Sequence, residues 1–398
     1  MLEGNAVVAQ SGGPTAVINQ SLVGVVERWR ALGKGTIFGA RHGVRGMIED
    51  KFLDLTTTPM QTLELVAGTP SAALGSSRDK PDAAYCQKII AALKARDIRN
   101  FFYIGGNDSS DTCRIVNELA ASSGYQMRAF HVPKTVDNDL MENDHTPGYA
   151  SAARYVAMAF MGDNLDNASL PGIKINVVMG RHAGFLTGAA ALMRQRPDDG
   201  PHLVYLPEVP FDLDRFVGDV DEMFKKHGRC QIAVSEGIQD ADGTPIAAKI
   251  TAGGAGEKDA HGNVQLSGSG ALGDMLAEYI KKKLTPAGGK PPRVRADTLG
   301  YQQRCWPDAS KVDQREAREA GRFAVEQAHA GIASGSIAIQ RISTKPYASK
   351  MVRVALTDVA AKTRHMPAEF IEGHRDVSAS FIEWLRPLVG EMPGVGRL

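Results

Sequence analysis

Long apolar runs are missing from this chain. Nowhere in its 398 residues do about 18 apolar residues follow one another, so no segment is expected to span a bilayer. Cysteine is scarce: Cys86, Cys113, Cys230 and Cys305 stand far apart with no CxxC pair. That spacing argues against a zinc site or a disulfide framework and fits a reducing compartment. An excess of one charge is also missing, since 46 Lys and Arg against 45 Asp and Glu leave a net charge of +1. Neither nucleic acid nor a membrane surface is therefore an expected partner. The opening MLEGNAVVAQSGG lacks the basic-then-apolar layout of a signal peptide, and a cytoplasmic location is the expectation. There is no GxGxxG and no GxxxxGK[ST], so a dinucleotide fingerprint and a P-loop are both unsupported.

What is present is a rhythm: a short apolar run, a Gly-rich or polar turn, then a helical pattern. NAVVAQ at residues 5–10 reads as a buried strand that runs into SGGPT and a helix with Leu22, Val25, Val26 and Trp29 on one face. FFYI at 101–104 repeats the theme, leading into GGNDS and a helix carrying Cys113, Val116 and Leu119. Further buried strands are predicted at 129–132, 175–178, 203–206 and 231–235. Strands alternating with helices predict parallel sheets with helices on both faces, in two α/β domains. The Pro- and Gly-rich stretch TPAGGKPP at 285–292 reads as a crossing or hinge between them.

In such sheets ligands gather where strands end and helices begin, and the polar motifs of this chain lie at those ends. Gly12-Gly13 and Gly105-Gly106 each follow a strand and open a helix, which makes them candidate phosphate cradles or simply tight turns. Pro133-Lys134-Thr135-Val136-Asp137-Asn138-Asp139 follows another strand and packs two carboxylates, a hydroxyl and an ammonium into seven residues. Phosphoryl transfer needs a base for a hydroxyl proton and a cation for the moving oxygens, and aspartate with lysine supplies those parts. Met179-Gly180-Arg181 and the segment from Arg295 to Arg304 add arginines, whose forked guanidinium suits a phosphate monoester.

Taken together, SGGPTAVIN, LGSSR at 74–78, GGNDS, PKTVDND, VMGRHAG, SEG at 235–237 and LGYQQR resemble the phosphofructokinase family in order and approximate spacing. The resemblance covers about residues 6 to 310 and implies a phosphofructokinase fold: two Rossmann-like three-layer domains with mostly parallel sheets. It implies a phosphoryl-donor domain of residues 1–140 plus about 300–350. A sugar-phosphate domain would comprise 141–299 plus about 351–398. It also implies roles. Asp137 would accept the proton of the sugar's 1-hydroxyl, flanked by Thr135, Val136 and Asp139. Met179, Gly180, Arg181, Glu236, Tyr301, Gln302, Gln303 and Arg304 would bind fructose 6-phosphate. Arg295 would serve it from a neighbouring subunit, so a homodimer or homotetramer is expected. Gly13, Arg78 and Gly106 would face the phosphoryl donor, and Asn107 would lie near a magnesium ion, Mg2+. Where many members carry an arginine before Met179, this chain has Gly172-Ile173-Lys174.

Members of the family that use ATP typically read GGDGS and PGTIDND, whereas this chain places Asp108 and Lys134 at two of those glycines. A carboxylate at Asp108 would oppose a nucleotide's α-phosphate by charge and volume. An ammonium at Lys134 would assist a leaving group that lacks nucleoside contacts. The pair predicts the branch that takes its phosphoryl group from pyrophosphate and gives it to fructose 6-phosphate. The alternatives are an ATP-dependent or sedoheptulose 7-phosphate-preferring kinase, or a non-catalytic regulatory subunit. Glu208 falls where ATP-dependent members build an effector site, though a strand-end carboxylate ahead of a helix also describes it.

Overall fold

The computed structural model describes residues 4–251 and 270–396. The chain divides into two units, Met1–Ala152 with Arg304–Arg364, and Ala153–Gln303 with His365–Leu398. It passes from the first to the second inside the helix Tyr149–Ser169. The stretch 285–292 does not mark a crossing as expected: it lies within the second unit and links the helix Ala271–Leu284 to the strand that follows. Proline and glycine there end a helix, which is the more local of their two uses.

The first unit is built on a seven-stranded sheet. In chain order its strands are β1 (Asn5–Gln10), β2 (Ile37–Ala40), β3 (Phe52–Asp54), β4 (Ile98–Gly105) and β5 (Arg128–Pro133). The second unit supplies β6 (Ile173–Val178), β7 (Leu203–Tyr205), β8 (Cys230–Ser235) and β9 (Val294–Thr298). The first sheet is completed by β10 (Ser334–Thr344) and β11 (Tyr347–Val354), giving the order β11-β10-β5-β4-β1-β2-β3. Its centre is parallel, while β3 and β11 close the edges antiparallel.

The period of two in β1 shows why this sheet needs helices on both faces. Ala6 and Val8 point into one core with Trp29, Phe102 and Phe130, while Val7 and Ala9 point into another with Phe101, Tyr103, Ile89 and Val116. Helices Ile18–Leu32 and Lys311–His329 cover the first face, and Ala83–Ala95 and Asn107–Ser122 the second. Trp29 is fully buried and donates its indole N–H to the Gly35 carbonyl at 2.8 Å, so its truncation to alanine would cost about 3–5 kcal/mol.

The second unit carries a four-stranded, wholly parallel sheet in the order β7-β8-β6-β9. Ile173, Ile175, Val177, Ile232 and Val234 form its core with Phe216 and Val220 from the helix Leu213–His227. Among the described residues no helix is long and apolar enough to cross a membrane. In the first unit β1, β4 and β5 end in polar loops, and in the second β6 and β8 do.

Candidate active site

In the first unit three strand ends meet the polar motifs. β1 runs into Gly12, whose φ of +75° is the left-handed conformation that favours glycine. Its carbonyl accepts the Ser76 hydroxyl at 2.6 Å, and its N–H donates to the Ser77 carbonyl at 2.9 Å. The turn is thus tied to the loop that carries Arg78. β4 runs into Gly105-Gly106 and the helix Asn107–Ser122, whose start is closed by the Ser109 and Ser110 N–H groups donating to the Gly106 carbonyl at 3.1 and 3.0 Å. Ser11 and Ser109 share a short hydroxyl–hydroxyl bond that joins the first glycine turn to the second.

β5 delivers Lys134, and the burial of this side chain is the unusual feature of the site: it is 3% exposed. Its ammonium donates to the Gly13 carbonyl at 2.7 Å, and a methyl placed on Gly12 would lie 3.0 Å from Nζ. Burial, with the charges of Arg304 and Arg78 nearby, pulls the Lys134 ammonium down to about 8, while Asp137 and Asp139 oppose the shift. Arg304 stands on the same turn, its guanidinium 2.9 Å from where a Gly13 methyl would be. Two cations therefore back the Gly12-Gly13 turn.

The carboxylates follow at once. Thr135 Oγ1 accepts the Asp137 N–H at 3.1 Å, and Asn138 sits at a φ of +59° that turns the chain between the two aspartates. Asp139 accepts from the Asn107 amide at 3.2 Å; burial and the adjacent Asp137 charge raise its pKa well above the usual carboxylate range. The Asn107 amide oxygen is buried and has no hydrogen-bond partner. That orphaned acceptor, on a side chain that also touches the Asp139 carboxylate, suits a hard divalent cation that keeps most of its waters. Among the described residues no group of three or more His, Cys, Asp or Glu is arranged to hold a metal ion. Asp108, in the first helical turn, is exposed and lies 3.4 Å from the Lys80 ammonium.

In the second unit the expected residues are shaped chiefly by backbone. Gly180 has a φ of +123°, and a side chain there would meet the Ala183 carbonyl at 2.5 Å. Its carbonyl accepts the Ser235 hydroxyl at 2.7 Å, which joins Met179-Gly180-Arg181 to Ser235-Glu236-Gly237. The Glu236 N–H donates to the Val178 carbonyl at 2.9 Å, and Met179 N–H reaches the Gln303 side chain at 3.3 Å. Glu236 is buried, Arg181 half-buried, and Tyr301 43% exposed. Glu208 accepts N–H groups from Gly184 and Met366 at 2.9 and 2.8 Å, so it holds two chain segments together, as a strand-end carboxylate would.

Arg295 is exposed on β9, and the strand does not continue to Arg304: it ends at Thr298, and Gly300, at a φ of +57°, opens a 3-10 turn to Arg304. Lys174, paired with Arg295 across β6 and β9, is engaged by Asp297 and by Asp163 at 3.4 Å. Those two carboxylates compete with any anion for the ammonium that stands near the missing arginine.

Sequence reasoning overlooked the supports. His131 on β5 is buried with Nε2 2.8 Å from the Gly105 carbonyl and Nδ1 2.8 Å from the Ser336 hydroxyl. Burial drops its pKa to about 4, so the neutral ring donates from Nε2 and accepts at Nδ1, fixing the second glycine turn. Within AFHVP it reads only as a polar residue inside a strand, and no sequence signal names its partners.

Comparison with known proteins points to one family. The phosphofructokinase family model matches residues 5–328. A pyrophosphate–fructose 6-phosphate 1-phosphotransferase of Rhodospirillum rubrum is 57% identical over 100% of this chain and 97% of its own length. One from Halomonas elongata is 39% identical over 98% of this chain and 92% of its own. The crystal structure of a pyrophosphate-dependent phosphofructokinase from Nitrosospira multiformis superimposes with a TM-score of 0.85 at 35% identity, covering 99% of this chain and 94% of that one.

Proposed function

The chain belongs to the phosphofructokinase family, and from that premise we propose that it moves a phosphoryl group from pyrophosphate to the 1-hydroxyl of fructose 6-phosphate. The products are fructose 1,6-bisphosphate and phosphate. The observation that carries the donor assignment is Lys134, a buried ammonium fixed to the Gly12-Gly13 turn beside the carboxylate loop. A buried cation is expensive unless an anion meets it, and a bound diphosphate is such an anion.

The donor belongs to the first unit. Lys134 neutralises phosphoryl oxygens, with Gly13, Gly106 and Arg78 lining the approach and Asp108 opposing a nucleotide's α-phosphate; Arg304, which the resemblance assigned to the sugar phosphate, stands against Gly13 and in this reading serves the donor instead. Asp137 takes the proton of the attacking hydroxyl, and Thr135 holds the loop in shape for it. Met179, Gly180, Arg181, Glu236, Tyr301, Gln302 and Gln303 of the second unit orient the sugar phosphate. No covalent enzyme intermediate is needed; transfer is in-line and rests on positioning and charge. The donor anhydride and the product ester differ modestly in energy, so the reaction runs usefully both ways.

A divalent cation, in our reading Mg2+, would be held by the Asn107 amide oxygen with Asp139 beside it, and when bound it would offset charge on the diphosphate, leaving Asp137 free as the base. The enzyme works in the cytoplasm as a homodimer or larger homo-oligomer to which Arg295 contributes across the subunit boundary.

The test is product identity. Fructose 6-phosphate and pyrophosphate with Mg2+ should give fructose 1,6-bisphosphate and phosphate in equal amounts by 31P NMR, and the reverse mixture should regenerate pyrophosphate. EDTA should stop both directions. Simple hydrolysis of pyrophosphate without a sugar bisphosphate would end the proposal.

A further inference from the structure

The first unit buries a second cluster of charge that none of the roles above uses. His145 is 1% exposed at its side chain, as is Glu316. Nδ1 of the imidazole lies 2.8 Å from Asp144 Oδ2 and Nε2 lies 2.7 Å from Glu316 Oε2. Ionised carboxylate oxygens only accept, so both ring nitrogens carry protons and the ring is an imidazolium. Burial opposes that charge, and the hydrogen bonds from Asp144 and Glu316 outweigh it, pushing the pKa up to about 9.

The groups that face this ring from the neighbouring elements are polar or charged. The helix Lys311–His329 brings Glu316 and, one turn earlier, Asp313, which accepts from Gly148 N–H at 2.9 Å and the Ser151 hydroxyl at 2.6 Å. The β10–β11 hairpin brings Tyr347 and Ser349, which donate to Glu316 Oε1 at 2.6 and 2.5 Å, and Arg341, which donates to Asp144 at 3.1 Å. Arg364 donates to the Asp144 carbonyl at 2.8 Å, and Tyr149 is buried near Asp144 and Arg364. Packing alone does not call for this arrangement, because apolar residues of equal volume are often as stable as a buried ionic cluster.

What the cluster touches is the carboxylate loop. The residue after His145, Thr146, donates its hydroxyl to the Thr135 carbonyl at 2.8 Å, and Thr135 N–H returns to Pro147 at 3.2 Å. Arg364, which grips the carbonyl of Asp144, also donates its own N–H to the Asp139 carbonyl at 2.8 Å. One end of the segment 135–139 thus hangs on Thr146 and Pro147, just after His145, and the other on Arg364, which holds the carbonyl of Asp144.

We propose that His145 is a positioning residue for phosphoryl transfer: a buried imidazolium clasped by Asp144 and Glu316 that fixes the backbone carrying Asp137 and Asp139. The assignment rests on the reading of Asp137 as the base. A loop displaced by a fraction of an ångström loses in-line geometry without losing its ligands, so the defect falls on kcat.

The test uses the full chain with His145→Gln, Glu316→Gln, the double variant and Asp137→Asn side by side. Rates are divided by the folded fraction from near-ultraviolet circular dichroism. Each clasp variant should lose about tenfold or more in kcat, with KM for both substrates within about twofold, and the double should be no worse than the worse single. Normal kcat per folded molecule, or a KM increase that accounts for the loss, overturns the clasp. If Asp137→Asn is inactive while His145→Gln is normal, the clasp fails and the base assignment stands. An active Asp137→Asn variant removes the base assignment and the clasp with it. Should His145→Gln fail to fold, Tyr347→Phe removes a single hydroxyl from Glu316. It should lower kcat about twofold at unchanged KM, and no change would equally overturn the idea.

Discussion

The two units present their candidate groups differently. In the first, Lys134, His145 and Glu316 are withdrawn from bulk water and held by named partners, and their proton affinities move accordingly. In the second, the expected sugar-phosphate residues are arranged by backbone turns at Gly180 and Gly300, while Arg295 and Tyr301 face solvent. The difference matches a division of labour. Chemistry on a phosphoryl group gains from preorganised charge in a low-dielectric setting, whereas capture of a sugar phosphate from water gains from accessible groups that close on it. Defects in the first unit should therefore appear in kcat, and defects in the second in KM.

The largest expected effect is in the first unit. Asp137→Asn keeps size and shape but removes the proton acceptor, so kcat should fall by about 10² to 10⁴ with substrate affinity roughly kept. Steady-state rates check this, and a near-normal kcat would transfer the role to Asp139. Next comes Lys134→Met, which should cost about 10² to 10³ in kcat with pyrophosphate, the usual loss when a preorganised charge partner is removed. Arg295→Ala should raise KM for the sugar phosphate about 10- to 100-fold and leave kcat nearly intact at saturation. If the kcat of Arg295→Ala falls instead, the contrast between the units breaks down. Mixing Arg295→Ala with Asp137→Asn under subunit exchange, at subsaturating sugar phosphate, should restore up to about a quarter of native activity if Arg295 serves a neighbouring chain.

The smallest effect is in the pH profile. Lys134 binds its proton less tightly in the fold than in the unfolded chain, with a native value of about 8. The unfolded state thus holds more protons above that value, and this group makes the fold more stable as pH rises from about 8 toward the ordinary lysine range of about 10.4. Activity should run the other way: kcat/KM for pyrophosphate should decline above about pH 8, because the neutral amine no longer attracts the donor. Lys134→Arg should keep partial activity and lose that alkaline decline; an unchanged limb would assign it elsewhere.

Much of this was legible in the residues. The buried strands at 5–10, 129–132, 175–178 and 231–235 announced themselves because apolar runs bounded by glycine and proline have few other uses. The β10–β11 hairpin was not seen, since its lysines and arginines alternate on a half-buried edge and mask the apolar signal. PKTVDND pointed to the site, but not to the burial of Lys134 or the placing of Arg304 against Gly13. Burial depends on what the rest of the chain stacks above a residue. The clasp was invisible for the same reason, because His145 and Glu316 are brought together only by the fold.

In the proposed function the buried ammonium of Lys134 and the carboxylate of Asp108 are the two groups that commit the enzyme to a diphosphate. The most direct measurement is kcat/KM for phosphorylation of fructose 6-phosphate with pyrophosphate and with ATP, in one buffer with one enzyme preparation. A ratio of at least about 100 in favour of pyrophosphate is expected, or roughly 2.7 kcal/mol of differential transition-state binding. Equal or better use of ATP would contradict it.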